Sequence, residues 1–145
     1  MPEKDNNMNQ TVLRRLYAWG PVLLWMGLLF FLSNQPTLPG PDDPFWNILL
    51  KKGAHFGAYW VLAWLNLRAL SQEKGCTSRD IPARTRWIAW GIAALYAISD
   101  EAHQGLVPGR TPRALDLFID WVGAATALLV MKQIPRFLQV RLKPQ

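Results

Sequence analysis

Residues 99 to 110, SDEAHQGLVPGR, set two adjacent acids, a histidine and an amide directly after an apolar run and just before a turn that ends in arginine. Acids beside a histidine can carry protons, and an arginine fork can hold a phosphate through paired hydrogen bonds. Two further groups join them. Lys52, His55 and Tyr59 recur at i, i+3 and i+7, and Asp116 and Asp120 at i and i+4, so each set shares one helical face. The candidate catalytic residues are Asp100, Glu101, His55 and His103. The candidate ligand-binding residues are Lys52, His55, Tyr59, Asp100, Glu101, Gln104, Arg110, Asp116 and Asp120. No metal site is expected, because His103 has no second histidine one turn away, and no cofactor is expected either.

These residues must be positioned by helices. Four apolar runs stand out, at about 16–33, 52–70, 87–106 and 112–131, in a chain whose residues are half hydrophobic and include eight tryptophans. Crossing about 30 Å of hydrocarbon at about 1.5 Å per residue takes roughly 20 residues. The third run is apolar only from Trp87 to Ile98, so a spanning helix there carries Asp100, Glu101, His103 and Gln104 into the outer part of the membrane. Charges at that depth must face protein or trapped water. The predicted fold is therefore all-α, a polytopic membrane protein of four transmembrane helices forming one domain over residues 1–145.

Charge distribution sets the expected orientation. With a cytoplasmic amino terminus, the inner segments hold 12 of the 16 lysines and arginines, and the outer ones hold only Lys51, Lys52, Arg110 and Arg113. This positive-inside bias places both termini in the cytoplasm, with the bilayer as partner. The same charge carries no groove-reading motif, so nucleic acid is not an expected partner. A lone Cys76, in the predicted inner loop, excludes an intrachain disulfide. Arg14 and Arg15 precede the first run as in a signal peptide, but FLSNQ follows where a cleavage site would need small residues, which reads as an uncleaved anchor.

Taken in order, residues 1–10 are polar and expected to be loose or to lie on the cytoplasmic surface. Ser33 and Gln35 bring polar groups to the outer end of span one, and the PTLPGPDD loop excludes regular helix. Phe45 and Trp46 suit an outer aromatic belt, and Arg68 suits snorkelling at the inner end of span two. Pro108 is expected to end span three, with Gly109 permitting positive φ. Thr111 as N-cap with Pro112 at the first helical position predicts where span four begins. GAATA at 123–127 offers a small-residue packing face, for the bundle interior or for a dimer. The basic tail beyond Met131 reads as an interfacial helix or an anchoring tail.

At these residues the sequence resembles the VanZ-like family of small bacterial membrane proteins. The matching features are FLSNQP after span one, the K-x-x-H-x-x-x-Y pattern of Lys52, His55 and Tyr59, and the D-E-x-x-Q-x-x-x-P-G-R pattern from Asp100 to Arg110. Asp116, Asp120 and Gly123 fit the D-x-x-x-[DN]-x-x-G stretch that follows. Lys51 departs from the pattern, since the family often carries an acid there. The resemblance implies a four-span protein of the bacterial cytoplasmic membrane, linked through the family's namesake to low-level teicoplanin resistance.

The leading expectation is an outer-facing polar pocket that binds an anionic lipid headgroup or a lipid-linked envelope precursor, with Lys52 and Arg110 attracting its phosphate. A second is a membrane enzyme working on such a lipid, with Glu101 or Asp100 as base and His55 or His103 as proton carrier. A third is a purely structural polar layer that locks four helices together.

Overall fold

A computed structural model describes residues 2–36, 40–75 and 81–131. Four helices follow in order: α1 Pro2–Ser33, α2 Pro44–Glu73, α3 Ala83–Gln104 and α4 Ala114–Val130. No strand occurs among the described residues, so the all-helical expectation holds. By length and composition, one stretch among them is long and apolar enough to cross a membrane, Gln10–Ser33. The other helices interrupt their apolar runs with the polar residues that build the site, and α4 has only 17 residues.

Several helix boundaries differ from the sequence expectations. Helix α1 begins at Pro2, so the polar amino-terminal stretch extends the helix. Helix α2 begins at Pro44, well before Lys51, because Asp43 caps it by accepting from the Trp46 N–H and Pro44 occupies the first helical position. Phe45 and Trp46 therefore lie in its first turn, exposed. Helix α3 stops at Gln104, four residues ahead of Pro108. Gly109 does adopt positive φ, at 84°.

The start of α4 is the most informative correction. Thr111 is not the N-cap; Arg113 is, and its own side chain makes no cap bond. The carboxylate of Glu101, one helix away, instead accepts the Arg113 backbone N–H. An acid reaching the positive end of a neighbouring helix satisfies an orphan donor and complements the dipole together. Cys76 and the basic tail beyond Met131 lie outside the described residues.

Helix α2 is the centre of the bundle, packing on α1, α3 and α4, while α1 meets α3 only slightly. Small residues allow this. Ala89, Ala93 and Ala97 repeat every fourth position on α3 and are fully buried. On α4 the GAATA face turns inward, where Gly123 lies against the Phe56 carbonyl of α2. Small residues at a helix seam permit such close backbone approach.

Polar stitches cross the small-residue seams. The indole N–H groups of Trp25, Trp90 and Trp121 donate to the carbonyls of Ala58, Trp121 and Ala94 on neighbouring helices, and the Tyr96 hydroxyl donates to Met26 O at 2.6 Å. At the end of the bundle away from the site, Trp19 donates to Glu73 and Arg68 lies 5.3 Å above the Tyr17 ring. Arg68 is thereby fixed against α1 as a cation on an aromatic face.

Candidate functional site

The residues singled out in sequence converge at one end of the bundle, where α1 and α3 stop and α2 and α4 begin. They form two clusters. In the first, buried Asp100 accepts from Ser33 Oγ at 2.5 Å, from the Tyr59 hydroxyl at 3.1 Å and from Gln104 Nε2 at 3.2 Å. These three donors come from α1, α2 and α3, so a single carboxylate ties three helices. Gln104 also donates to Ser33 Oγ at 3.4 Å and accepts from Arg110 at 3.4 Å, which closes the network.

Arg110 itself is largely committed to α1. Its Nε donates to Gln35 O at 2.9 Å and its second terminal nitrogen to Leu32 O at 3.1 Å. The guanidinium thus adds a second donor to Leu32 O, which also accepts from the Gln35 N–H, and supplies one to Gln35 O just beyond α1. Gly109 makes this reach possible, because its positive φ turns the chain back toward α1. The Gln35 side chain returns to its own helix, donating to Phe31 O.

In the second cluster α2 faces α4 through one ion pair and one histidine–acid contact. Lys52 bonds Asp116, and His55 Nδ1 lies 3.1 Å from Asp120 Oδ1. The i, i+3 spacing on α2 meets the i, i+4 spacing on α4, which pairs the residues in order. Asp120 is almost fully buried, whereas the His55 side chain keeps about a fifth of its surface exposed. Among the described residues, His55 Nε2 has no hydrogen-bond partner.

Between the clusters lies a cavity of about 520 Å³. Of the expected ligand-binding residues, Lys52, His55, Tyr59, Asp100, Gln104, Arg110 and Asp116 line it. Glu101 does not, being occupied at the α4 cap, and Asp120 stands behind His55. His103 also stays outside: its ring stacks on Phe30 with centroids 4.6 Å apart, and its Nε2 is buried without a partner. No cluster of metal-ligand side chains occurs among the described residues.

The sequence reading passed over two lining residues that matter for charge. Lys51 and Arg113 both face the cavity, and among the described residues neither has an ion-pair partner. With Lys52 and Arg110 they make four lining cations against two lining acids, Asp100 and Asp116, a formal excess of two positive charges. Their place outside the positive-inside pattern was the available signal. The apolar part of the wall is Leu29 and Leu32 of α1 with Ile48, Ala54 and Ala58 of α2. Leu32 and Ile48 are also exposed on the outside of the bundle, so the cavity has an apolar rim between α1 and α2.

An all-helical bundle whose helix ends surround a cationic cavity is the class this chain defines. It belongs to the VanZ/LLP1 family, whose pattern it matches over residues 18–137. No curated protein and no solved structure matches it.

Proposed function

We propose that this chain is a VanZ-like protein of the bacterial cytoplasmic membrane that binds a phosphate-bearing envelope lipid or lipid-linked precursor in its cavity. In this reading the chain is one four-span domain with both termini cytoplasmic, and the cavity opens outward. The observation that carries it is the charge excess of the cavity lining beside an apolar rim. Lys51, Lys52 and Arg113 offer the phosphate its contacts, and the apolar wall of Leu29, Leu32 and Ala58 gives acyl chains a path inward. Lys52 is half-buried, and a partly desolvated cation holds a phosphate better than a solvated one. A contribution to glycopeptide (teicoplanin) resistance is proposed from the family alone, and fold does not fix function.

Purification in native-lipid nanodiscs, followed by mass spectrometry of the retained lipids, tests the reading. The wild type is expected to enrich one phosphate-bearing lipid, and a Lys52→Ala, Arg113→Ala double variant to lose that enrichment. Equal lipid profiles would overturn it. Displacement of the lipid by millimolar inorganic phosphate would identify the free anion as the ligand instead.

The Asp100 cluster supports a second reading for its own half of the site. All its donors are side chains of this bundle, which fits a structural polar layer there.

A further inference from the structure

We infer that His55 and Asp120 form a proton-accepting pair that hydrolyses a carboxylic ester of the lipid held in the cavity, an inference resting on the binding reading above. The geometry has the arrangement such chemistry needs. Asp120, almost fully buried, engages His55 Nδ1 at 3.1 Å and so orients the ring. The opposite nitrogen, Nε2, belongs to a cavity-lining side chain and has no partner among the described residues. A buried acid on Nδ1 fixes the tautomer that leaves Nε2 as the acceptor and stabilises the imidazolium that forms.

Two physical arguments select the ester. The first is depth. His55 follows Lys52 by three residues, which places it about 4.5 Å further along α2. With the phosphate at Lys51, Lys52 and Arg113, the next part of a glycerophospholipid to reach His55 is the ester carbonyl, a few bonds inward. The chains continue inward past Leu29 of α1 and Ala58 of α2.

The second argument is stereochemical. His103 stacks outside the cavity, and in this proposal the one lining imidazole, His55, serves as both base and acid. In-line displacement at phosphorus puts the entering and leaving oxygens on opposite sides, beyond the reach of one ring. At a tetrahedral carbon both oxygens lie on the same side as the base. In the reaction, a water oxygen bonds to the ester carbon and its proton passes to Nε2. The bond from that carbon to the glycerol oxygen then breaks, and the glycerol oxygen takes the proton back from Nε2. The products are a fatty acid and a lysolipid, and no oxidant or reductant is needed.

Full-length protein in nanodiscs of phosphatidylglycerol in phosphatidylcholine would be followed for fatty-acid release by mass spectrometry, with lipid retention measured in parallel. The wild type is expected to release fatty acid from phosphatidylglycerol above empty discs. His55→Gln, which keeps a donor toward Asp120, should lower the rate by about a hundredfold or more while retention persists. Asp120→Asn, a change at a positioning residue, should reduce kcat by about tenfold or more at little change in KM. Retention without release in the wild type would overturn the inference and leave the binding reading standing. Neither retention nor release would overturn both. Release undiminished in His55→Gln would remove His55 from the chemistry.

Discussion

Gly123 of α4 lies directly against the Phe56 carbonyl of α2, so close that a Cβ at this position would overlap that backbone. The contact sits one turn beyond Asp120 and one residue beyond His55, and it holds α2 and α4 close where Lys52 meets Asp116 and His55 meets Asp120. Gly123→Ala is therefore expected to cost about 1–3 kcal/mol, the usual range for overpacking a tight seam. Thermal unfolding in detergent checks this. Gly53→Ala, on a glycine with open space around its Cβ position, should leave the melting temperature nearly unchanged.

The Asp100 network calls for a different outcome. Ser33→Ala removes a 2.5 Å bond to a buried acid, and Asp100→Ala removes the acceptor of three donors. The first should lower stability by about 1–3 kcal/mol and the second by at least as much. Lipid retention at a temperature where each variant is still folded should match the wild type. Loss of retention with an unchanged melting temperature would instead make Asp100 a ligand contact.

Arg110 reaches two carbonyls of the α1 end from fixed positions on one planar group. Lysine has neither the plane nor the second direction. Arg110→Lys and Arg110→Ala should therefore destabilise to a similar degree, measurable as matched falls in melting temperature. Full rescue by lysine would show that only the charge matters there.

Glu101 serves as the helix cap that α4 lacks locally. Glu101→Gln retains an acceptor and should cost a few tenths of a kcal/mol, whereas Glu101→Ala should cost about 1 kcal/mol, as other lost caps do. Fatty-acid release should survive Glu101→Gln. Its disappearance would return Glu101 to the chemistry.

The proposed topology can be read from the single cysteine. A membrane-impermeant maleimide should label Cys76 only after the cells are opened, and should label Arg113→Cys in a Cys76→Ser background before that. The reverse pattern would invert the orientation.

Four helices, their order and most of the polar cavity lining were legible without coordinates, because apolar runs and i, i+3 or i, i+4 spacing depend only on local helical geometry. Lys52 with His55, and Asp116 with Asp120, were visible as faces for that reason. Which face meets which was not, since pairing across helices depends on the seam that Gly123 sets with Phe56. Helix ends were misplaced where a distant residue supplied the cap. Thr111 and Pro112 have suitable local chemistry, yet Glu101 moves the start of α4 to Ala114. The commitments of the charged groups were likewise hidden. Arg110 and Glu101 read as ligand contacts in sequence, and the structure adds a partner for each at the ends of α1 and α4. Sequence alone thus determined which residues could carry charge and protons at this end of the bundle. Tertiary structure decided which hold helix ends and which groups of the cavity lining, Lys51, Arg113 and His55 Nε2, are without a side-chain partner among the described residues. A buried polar group takes the nearest partner the packing offers, and that partner is set by the fold.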